Sequence, residues 1–285
     1  MSEGEPLIRN VSDTALWAAN YRAAETDRPD ALFRDPFARR LAGERGRQIA
    51  DSVTGAVRAD WAWVGRTYLF DQFIAERLGQ GVDLVVNLAA GLDTRPYRMD
   101  LPAALQWVEV DLPGILDYKE AVLAGEKPRC ALERVRLDLA DLAARRALFE
   151  RLGRQAAKAL VLTEGLLIYL TADAAATLAR DLAAPPAFHG WIIDIASPGL
   201  LRLLQKNLGA QLSRASAPLQ FGPPEGPEYF VPHGWRPVCV VSPLKATAPF
   251  KRPPFFLRLL ALLPESQGRQ GSRPWSGVCL LEKTG

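Results

Sequence analysis

DLVVNLAAGLDTRPYRMD, residues 83–100, decides how the rest of the chain is read. An apolar run from Leu84 to Ala89, interrupted only by Asn87, ends in a small-residue turn at Ala90-Gly91. Asp93, Thr94 and two arginines, Arg95 and Arg98, follow at once. A short apolar run bounded by turn residues is the pattern of a fully buried strand. In an open parallel sheet, ligands bind beyond the carboxyl ends of the strands, near the point where strand order reverses. A buried strand that empties into a tight turn and then into charge therefore predicts a ligand at that turn.

The same pattern recurs downstream. LQWVEVD (105–111), ERVRLD (133–138), KALVLTEG (158–165), HGWIIDIA (189–196), WRPVCVVSP (235–243) and SGVCLLEK (276–283) all read as strands. Helical stretches at Pro113–Ala124, Leu142–Leu152 and Ala172–Ala183 lie between the earlier ones. This alternation predicts an α/β fold: a mostly parallel, seven-stranded, Rossmann-type sheet with helices on both faces. Upstream, residues 12–50 read as helical, with Ser12 or Asp13 as N-cap and two short pieces across the proline-containing RPDALFRDPFARRLAG. In RTYLFDQFIAERLGQG, Phe70, Phe73, Ile74 and Leu78 form an apolar stripe and Gly79 and Gly81 stop the helix. Residues 197–235 break the rhythm with a helix, GLLRLLQKNLGAQL, and a loop, FGPPEGPEYFVPHG. They are expected to form a lid over the carboxyl edge of the sheet. The expected organisation is a single domain over 1–285: a helical N-terminal cap (1–80), a cofactor-binding core (81–196), the lid insertion (197–235) and the last two strands (236–285).

Composition narrows the function. Lys and Arg number 35 against 32 Asp and Glu, a balance that argues against a dedicated nucleic-acid binder. Cys130, Cys239 and Cys279 are far apart and odd in number, so they make no disulfide framework and fit a reducing compartment. Two distant histidines, His189 and His233, argue against a histidine metal site. The polar N-terminus MSEGEPLIRN is no signal peptide, and LLIYL and FFLRLLALL are too short to span a bilayer. These features predict a cytoplasmic protein with a small-molecule partner, no nucleic acid and no membrane, as a monomer or homodimer. Lys245, Lys251, Arg252, Arg258, Arg269 and Arg273 stand against one acid, Glu265, and read as a solvated face rather than a site for an acidic ligand.

Asp111 ends the second strand twenty residues after Gly91, where an acid is placed to accept hydrogen bonds from a ribose diol. The ligand is then an adenosine-containing molecule. A dinucleotide wants G-x-G-x-x-G so that backbone amides approach a pyrophosphate. Here the turn is A-x-G-x-D, and Asp93 stands where phosphates would lie. A ligand carrying a sulfonium and an ammonium has the opposite need, so S-adenosylmethionine fits better than NAD.

NLAAGLDTRPYR, EVDLP, RLDLAD and TEGLLIYL, in this order and spacing, resemble the leucine carboxyl methyltransferase superfamily. More narrowly, the chain is similar to its bacterial branch of S-adenosylmethionine-dependent O-methyltransferases, which includes polyketide carboxyl methyltransferases. VSDTALWAANYRAAETDRPDALFRDPFARRLAG and RPWSGVCLLE extend the likeness over nearly the whole chain. The resemblance implies a class I methyltransferase-like fold and a cofactor site made by Arg66, Ala89, Gly91, Asp93, Asp111, Asp138, Leu139 and Glu164. It implies that Asp138-Leu139 meets the adenine, that Glu164 favours the cofactor's ammonium and that Arg66 grips its carboxylate. Of the three glycines in the usual D/E-x-G-x-G-x-G only Gly91 remains, with Asn87, Ala89 and Asp93 at the other key positions.

Other residues have two readings each. Asp138 or Asp141 can simply cap the next helix, Glu164 can be a buried acid paired with an arginine, and Arg95 can be a structural tie. Trp61, Trp63 and Tyr68 are candidates to roof an apolar substrate pocket, with packing as the alternative. Tyr169 and His233 are the weak catalytic candidates. Poverty in bases favours a nucleophile that is already ionised, such as a carboxylate near its ordinary pKa. A phenol or hydroxyl acceptor would want a positioned base. The expected activity is O-methyl transfer to a small-molecule carboxylate, such as a polyketide-like acid. The alternatives are a phenol or hydroxyl O-methyltransferase of secondary metabolism, a nucleotide-binding module without chemistry and, more distantly, an NAD-dependent oxidoreductase.

Overall fold

The computed structural model describes residues 12–52, 59–214, 217–265 and 269–284. Seven strands form one sheet: β1 (Leu84–Leu88), β2 (Gln106–Asp111), β3 (Ala131–Arg136), β4 (Ala159–Thr163), β5 (Phe188–Ala196), β6 (Trp235–Val241) and β7 (Ser276–Lys283). Their order is β3-β2-β1-β4-β5-β7-β6. The first five run parallel, and β7 is antiparallel to both β5 and β6. β1 and β4 are buried along their whole length, as their apolar runs require. Pro237 lies in β6, an edge strand, where a residue without an N–H is tolerated. Each expected strand is present, with ends moved by a few residues.

The helices are α1 (Ser12–Thr26), α2 (Ala38–Ser52), α3 (Asp60–Gly79), α4 (Arg95–Arg98), α5 (Pro113–Val122), α6 (Leu142–Gln155), α7 (Ala172–Ala183), α8 (Pro198–Arg214), α9 (Pro243–Thr247) and α10 (Phe255–Leu260). One core, under α6 and α7, holds Val86, Val108, Val161, Trp191 and Ile193. The core on the other face joins Phe70, Phe73 and Ile74 of α3 to Val85, Trp107, Leu160 and Ile192 of the sheet. Gly65 lets α3 approach α9, since a Cβ there would lie 2.9 Å from the Pro243 Cβ. Asp141 caps α6 through the N–H groups of Ala143 and Ala144, and Thr171 caps α7 through Ala174. Strand order reverses beside β1, so the carboxyl ends of β1, β2, β4 and β5 surround the switch point.

Residues 197–235 divide into two parts. α8 lies against the open space at the carboxyl edge of the sheet. The loop that follows does not. Phe221 and Phe230 are buried in the main core, and Trp191 packs edge-on to Phe230 at 5.0 Å. The expectation of a loop lid at 221–234 is corrected on this ground: two buried aromatic side chains anchor it beneath β5 and β6. Among the described residues, no helix is long and apolar enough to cross a membrane.

Candidate active site

The turn after β1 is tight. Ala89 has φ 51° and Gly91 φ 50°, so alanine takes the left-handed conformation that glycine takes in the usual motif. The Ala90 N–H bonds the Val110 carbonyl, and the Gly91 N–H donates to the Asp111 carboxylate at 2.6 Å. The other Asp111 oxygen accepts from the Leu112 N–H at 2.7 Å. Burial pushes the Asp111 carboxyl above the usual range, and the two amides oppose that shift. A Cβ on Gly91 would lie 3.3 Å from the Ala15 Cβ, so α1 closes directly over this turn.

Beyond the turn a chain of charges begins. Asn87 donates to Asp93 at 2.8 Å. Arg95, 2% exposed, reaches three carboxylates: Asp71 at 2.7 Å, Asp93 at 2.9 Å and Glu164 at 2.8 Å. Arg98 grips both oxygens of Asp71. Glu164 also accepts from Arg66 at 3.1 Å, and Arg66 continues to Asp194 at 3.2 Å. Asp194 in turn accepts the Gly165 N–H at 2.6 Å. Burial opposes the charge on Asp93, but Arg95, with Lys119 and Arg98, outweighs it and holds the pKa at about 2. Burial likewise opposes the charge on Glu164, and Arg95 and Arg66 hold it below the usual range. Burial wins at Asp194 and pushes its carboxyl up against Arg66 and the Gly165 amide.

Three guanidinium groups thus face four carboxylates. The excess of one negative charge lies at a cavity of about 810 Å³. Arg66, Ala89, Gly91, Asp93, Asp111, Asp138, Leu139 and Glu164 all line it. Asp141 takes the capping role, which leaves Asp138 to a turn in which one oxygen accepts the Ala140 N–H at 2.9 Å. Its other oxygen and the Leu139 N–H have no partner among the described residues. Arg95 is a structural tie, as one of its two readings held. Glu164 is paired with arginines, as the second of its readings has it, and it also lines the cavity.

Another part of the lining is apolar and abuts the charge network. Leu200, Leu204, Leu208 and Leu212 of α8, Ile168, Trp17 and Trp63 form its wall. Trp63 packs 5.0 Å from Trp17 and lies under the Arg66 guanidinium at 4.7 Å. Trp61 and Tyr68 are not among the lining residues, and Tyr68 packs on Phe250 instead. Tyr169 lines the cavity and bonds Thr14 of α1, and burial pushes its hydroxyl pKa up. His233 lies elsewhere. It sits beside Tyr229, with Arg180 at 3.4 Å from its ring, and burial and that arginine lower its pKa. The loop anchored by Phe221 and Phe230 carries it away from the mouth, so its candidacy is set aside. Asp194, Trp17 and the α8 leucines were missed. An acid near the end of the apolar run HGWIIDIA was the available signal for Asp194. Among the described residues, no group of three or more His, Cys, Asp or Glu is arranged to hold a metal ion.

The chain is similar to several known proteins. One from Frankia alni, named "Putative S-adenosyl-L-methionine-dependent methyltransferase FRAAL3836", is 36% identical over 79% of this chain and 83% of its own length. Proteins of the same description from Mycobacteroides abscessus and Rhodococcus jostii are 37% identical over 62% and 68% of this chain. Those two matches span only 62% and 65% of the relatives' own lengths. A DUF574 family protein from Streptomyces avermitilis has the same fold, with a TM-score of 0.59 at 13% identity, over 94% of this chain and 97% of that one. A protein from Thermobifida fusca gives 0.57 at 14% identity, over 100% of this chain and 97% of that one. The fold is the α/β class I methyltransferase-like fold that the sequence predicts. The profile of the leucine carboxyl methyltransferase family matches residues 15–183, more than half of the chain, and the chain belongs to that family.

Proposed function

We propose that this protein is an S-adenosylmethionine-dependent O-methyltransferase that esterifies the carboxylate of an apolar small molecule. One cavity lined both by a net-negative charge network, its polar end, and by the leucines of α8 carries the reading. The polar end suits a cofactor that bears a sulfonium and an ammonium, because those cations meet the excess negative charge around Asp93, Glu164 and Asp194. Asp111, held by two amides, keeps lone pairs for a ribose diol. The open Leu139 N–H and the second Asp138 oxygen suit the edge of an adenine. A cavity of about 810 Å³ lies within the usual range for ligand sites.

When bound, the cofactor supplies an electrophilic methyl group on a good neutral leaving group. The residues must then hold the acceptor in line and exclude water, a contribution worth roughly 7–11 kcal/mol in well-oriented systems. Trp17, Trp63 and the α8 leucines provide the dry wall. The Trp17 ring is buried against Trp63 and helps to form this wall. No histidine or lysine lines the cavity among the described residues. Asp93 and Glu164 are bound by arginines, so they make poor bases. A carboxylate acceptor needs none, since it is ionised at neutral pH.

The test uses radiolabelled cofactor, the full chain and a panel of apolar carboxylic acids and phenols. A methyl ester releases volatile methanol in alkali, whereas an aryl methyl ether does not. We expect alkali-labile product and single-turnover rates nearly flat from about pH 6 to 9. Alkali-stable product with a rate that rises through neutral pH would replace the carboxylate by a hydroxyl acceptor. Binding of the cofactor with no product from any member of the panel would favour a module without chemistry.

A further inference from the structure

We propose that residues 250–263 form a docking surface for the face of an anionic lipid bilayer. Among the described residues, seven of the twelve large hydrophobic side chains left exposed fall within this short stretch. Phe255 is 68% exposed, Phe256 65% and Leu262 81%. The pattern is an inverted amphipathic helix. Phe255, Phe256, Leu259 and Leu260 of α10 share the outward face at i, i+1, i+4 and i+5, while Leu257 and Arg258 are partly covered. A contiguous apolar patch of this kind on a folded surface marks an interaction site.

The patch is held in place. Within the stretch, the Arg252 side chain is turned inward, 4% exposed, and pairs with Glu25 and Asp30 at 2.8 Å each. Pro253 is buried, and α9 packs against α3 just upstream. The apolar face therefore points outward from a fixed base.

Charge selects the occupant. Lys251 and Arg258 lie within this stretch and Lys245, Arg269 and Arg273 flank it in sequence, and none forms an ion pair among the described residues. Glu265 is the only acid between 243 and 275, and its carboxylate accepts the Ser242 N–H at 2.8 Å. A second copy of this chain would bring two cationic rims together, which opposes a symmetric dimer through this face. An anionic bilayer meets both features. Phenylalanine and leucine enter the headgroup boundary while lysine and arginine meet the lipid phosphates. No spanning helix is involved and the contact is peripheral, but the proposal departs from the expectation of no membrane partner and of a solvated basic face.

Flotation of the full chain with vesicles tests this. Vesicles of phosphatidylcholine alone are compared with mixed phosphatidylcholine and phosphatidylglycerol. We expect recovery with the mixed vesicles, weakened by salt. Phe255→Ser/Phe256→Ser/Leu262→Ser should lower partitioning by roughly tenfold or more, with cofactor binding and melting temperature unchanged. Lys251→Glu/Arg273→Glu should remove the preference for anionic vesicles by a similar factor. Failure to float with either vesicle overturns the proposal, as does equal flotation of the serine variant. A dimer in sedimentation that the serine variant dissolves, without vesicle binding, would assign the face to a second copy instead.

Discussion

The backbone N–H of Gly91 donates to the Asp111 carboxylate across 2.6 Å, joining the turn after β1 to the end of β2. The two residues are twenty apart in sequence, yet they form one rigid clamp at the cavity floor. Gly91 is left-handed and lies under α1, so a branched side chain there meets both backbone strain and Ala15. Gly91→Val is expected to cost about 1–3 kcal/mol in denaturant unfolding. An unchanged midpoint would show that α1 yields at no cost.

Arg95 is the hub of the charge network, and its removal leaves Asp71, Asp93 and Glu164 short of a partner. Breaking a buried ion pair from one side costs about 3–5 kcal/mol. Arg95→Ala should therefore lower stability by that order. Arg95→Lys should recover only part of it, because a single ammonium cannot match the planar fork. Full rescue by lysine would argue that charge alone, and not geometry, is required.

Asp93 titrates at about 2 in the folded protein, below an ordinary aspartate near 4. Its contribution, ~2 kcal/mol, is complete at neutral pH and is lost as pH falls through about 4 toward about 2. Asp111 and Asp194 are pushed up by burial, so acidification relieves their cost and partly offsets that loss. Denaturant unfolding from pH 7 down to about 2 should show a shallower acid limb for Asp93→Asn than for the parent chain. Parallel limbs would place the acid sensitivity elsewhere.

The apolar end of the cavity is the proposed acceptor site, so changes there should separate acceptor from cofactor. Trp17→Leu trims the ring that packs against Trp63 in the cavity wall. It should raise KM for an apolar acceptor by roughly tenfold, the value of about 1.4 kcal/mol of lost apolar contact. Leu204→Trp should fill the arm and reduce turnover of long acceptors more than short ones. Cofactor affinity should be unchanged in both. Equal loss of cofactor and acceptor binding would mean that the two ends are not separate sites.

Most strands were legible because they are apolar runs closed by turn residues or charge, and β1 and β4 are buried along their whole length; β3, with Glu133, Arg134 and Arg136, was legible instead from its place in the alternation. Asp111 was legible because its distance from Gly91 is set by one strand-helix-strand unit. The partners of Arg95 were not, since they come from α3, the β1 turn and the end of β4, and sequence does not show which distant acids converge. Asp194 was hidden within a strand that reads as core. His233 misled because a loop rich in glycine and proline reads as mobile. Phe221 and Phe230 were in plain view, but only the packing of Trp191 shows that they anchor the loop. The α8 leucines have helical spacing whether they face a core or a cavity.

The central claim is that the Asp111 clamp holds an adenosyl cofactor. Calorimetric titration with S-adenosylhomocysteine measures it directly, in the parent chain and in Asp111→Ala. We predict one site per chain, with affinity lowered roughly 10-fold to 100-fold in the variant, as expected for lost hydrogen bonds to a charged group worth about 1.5–3 kcal/mol. Absence of binding to the parent chain, or equal affinity in a variant with unchanged circular dichroism, would contradict the account.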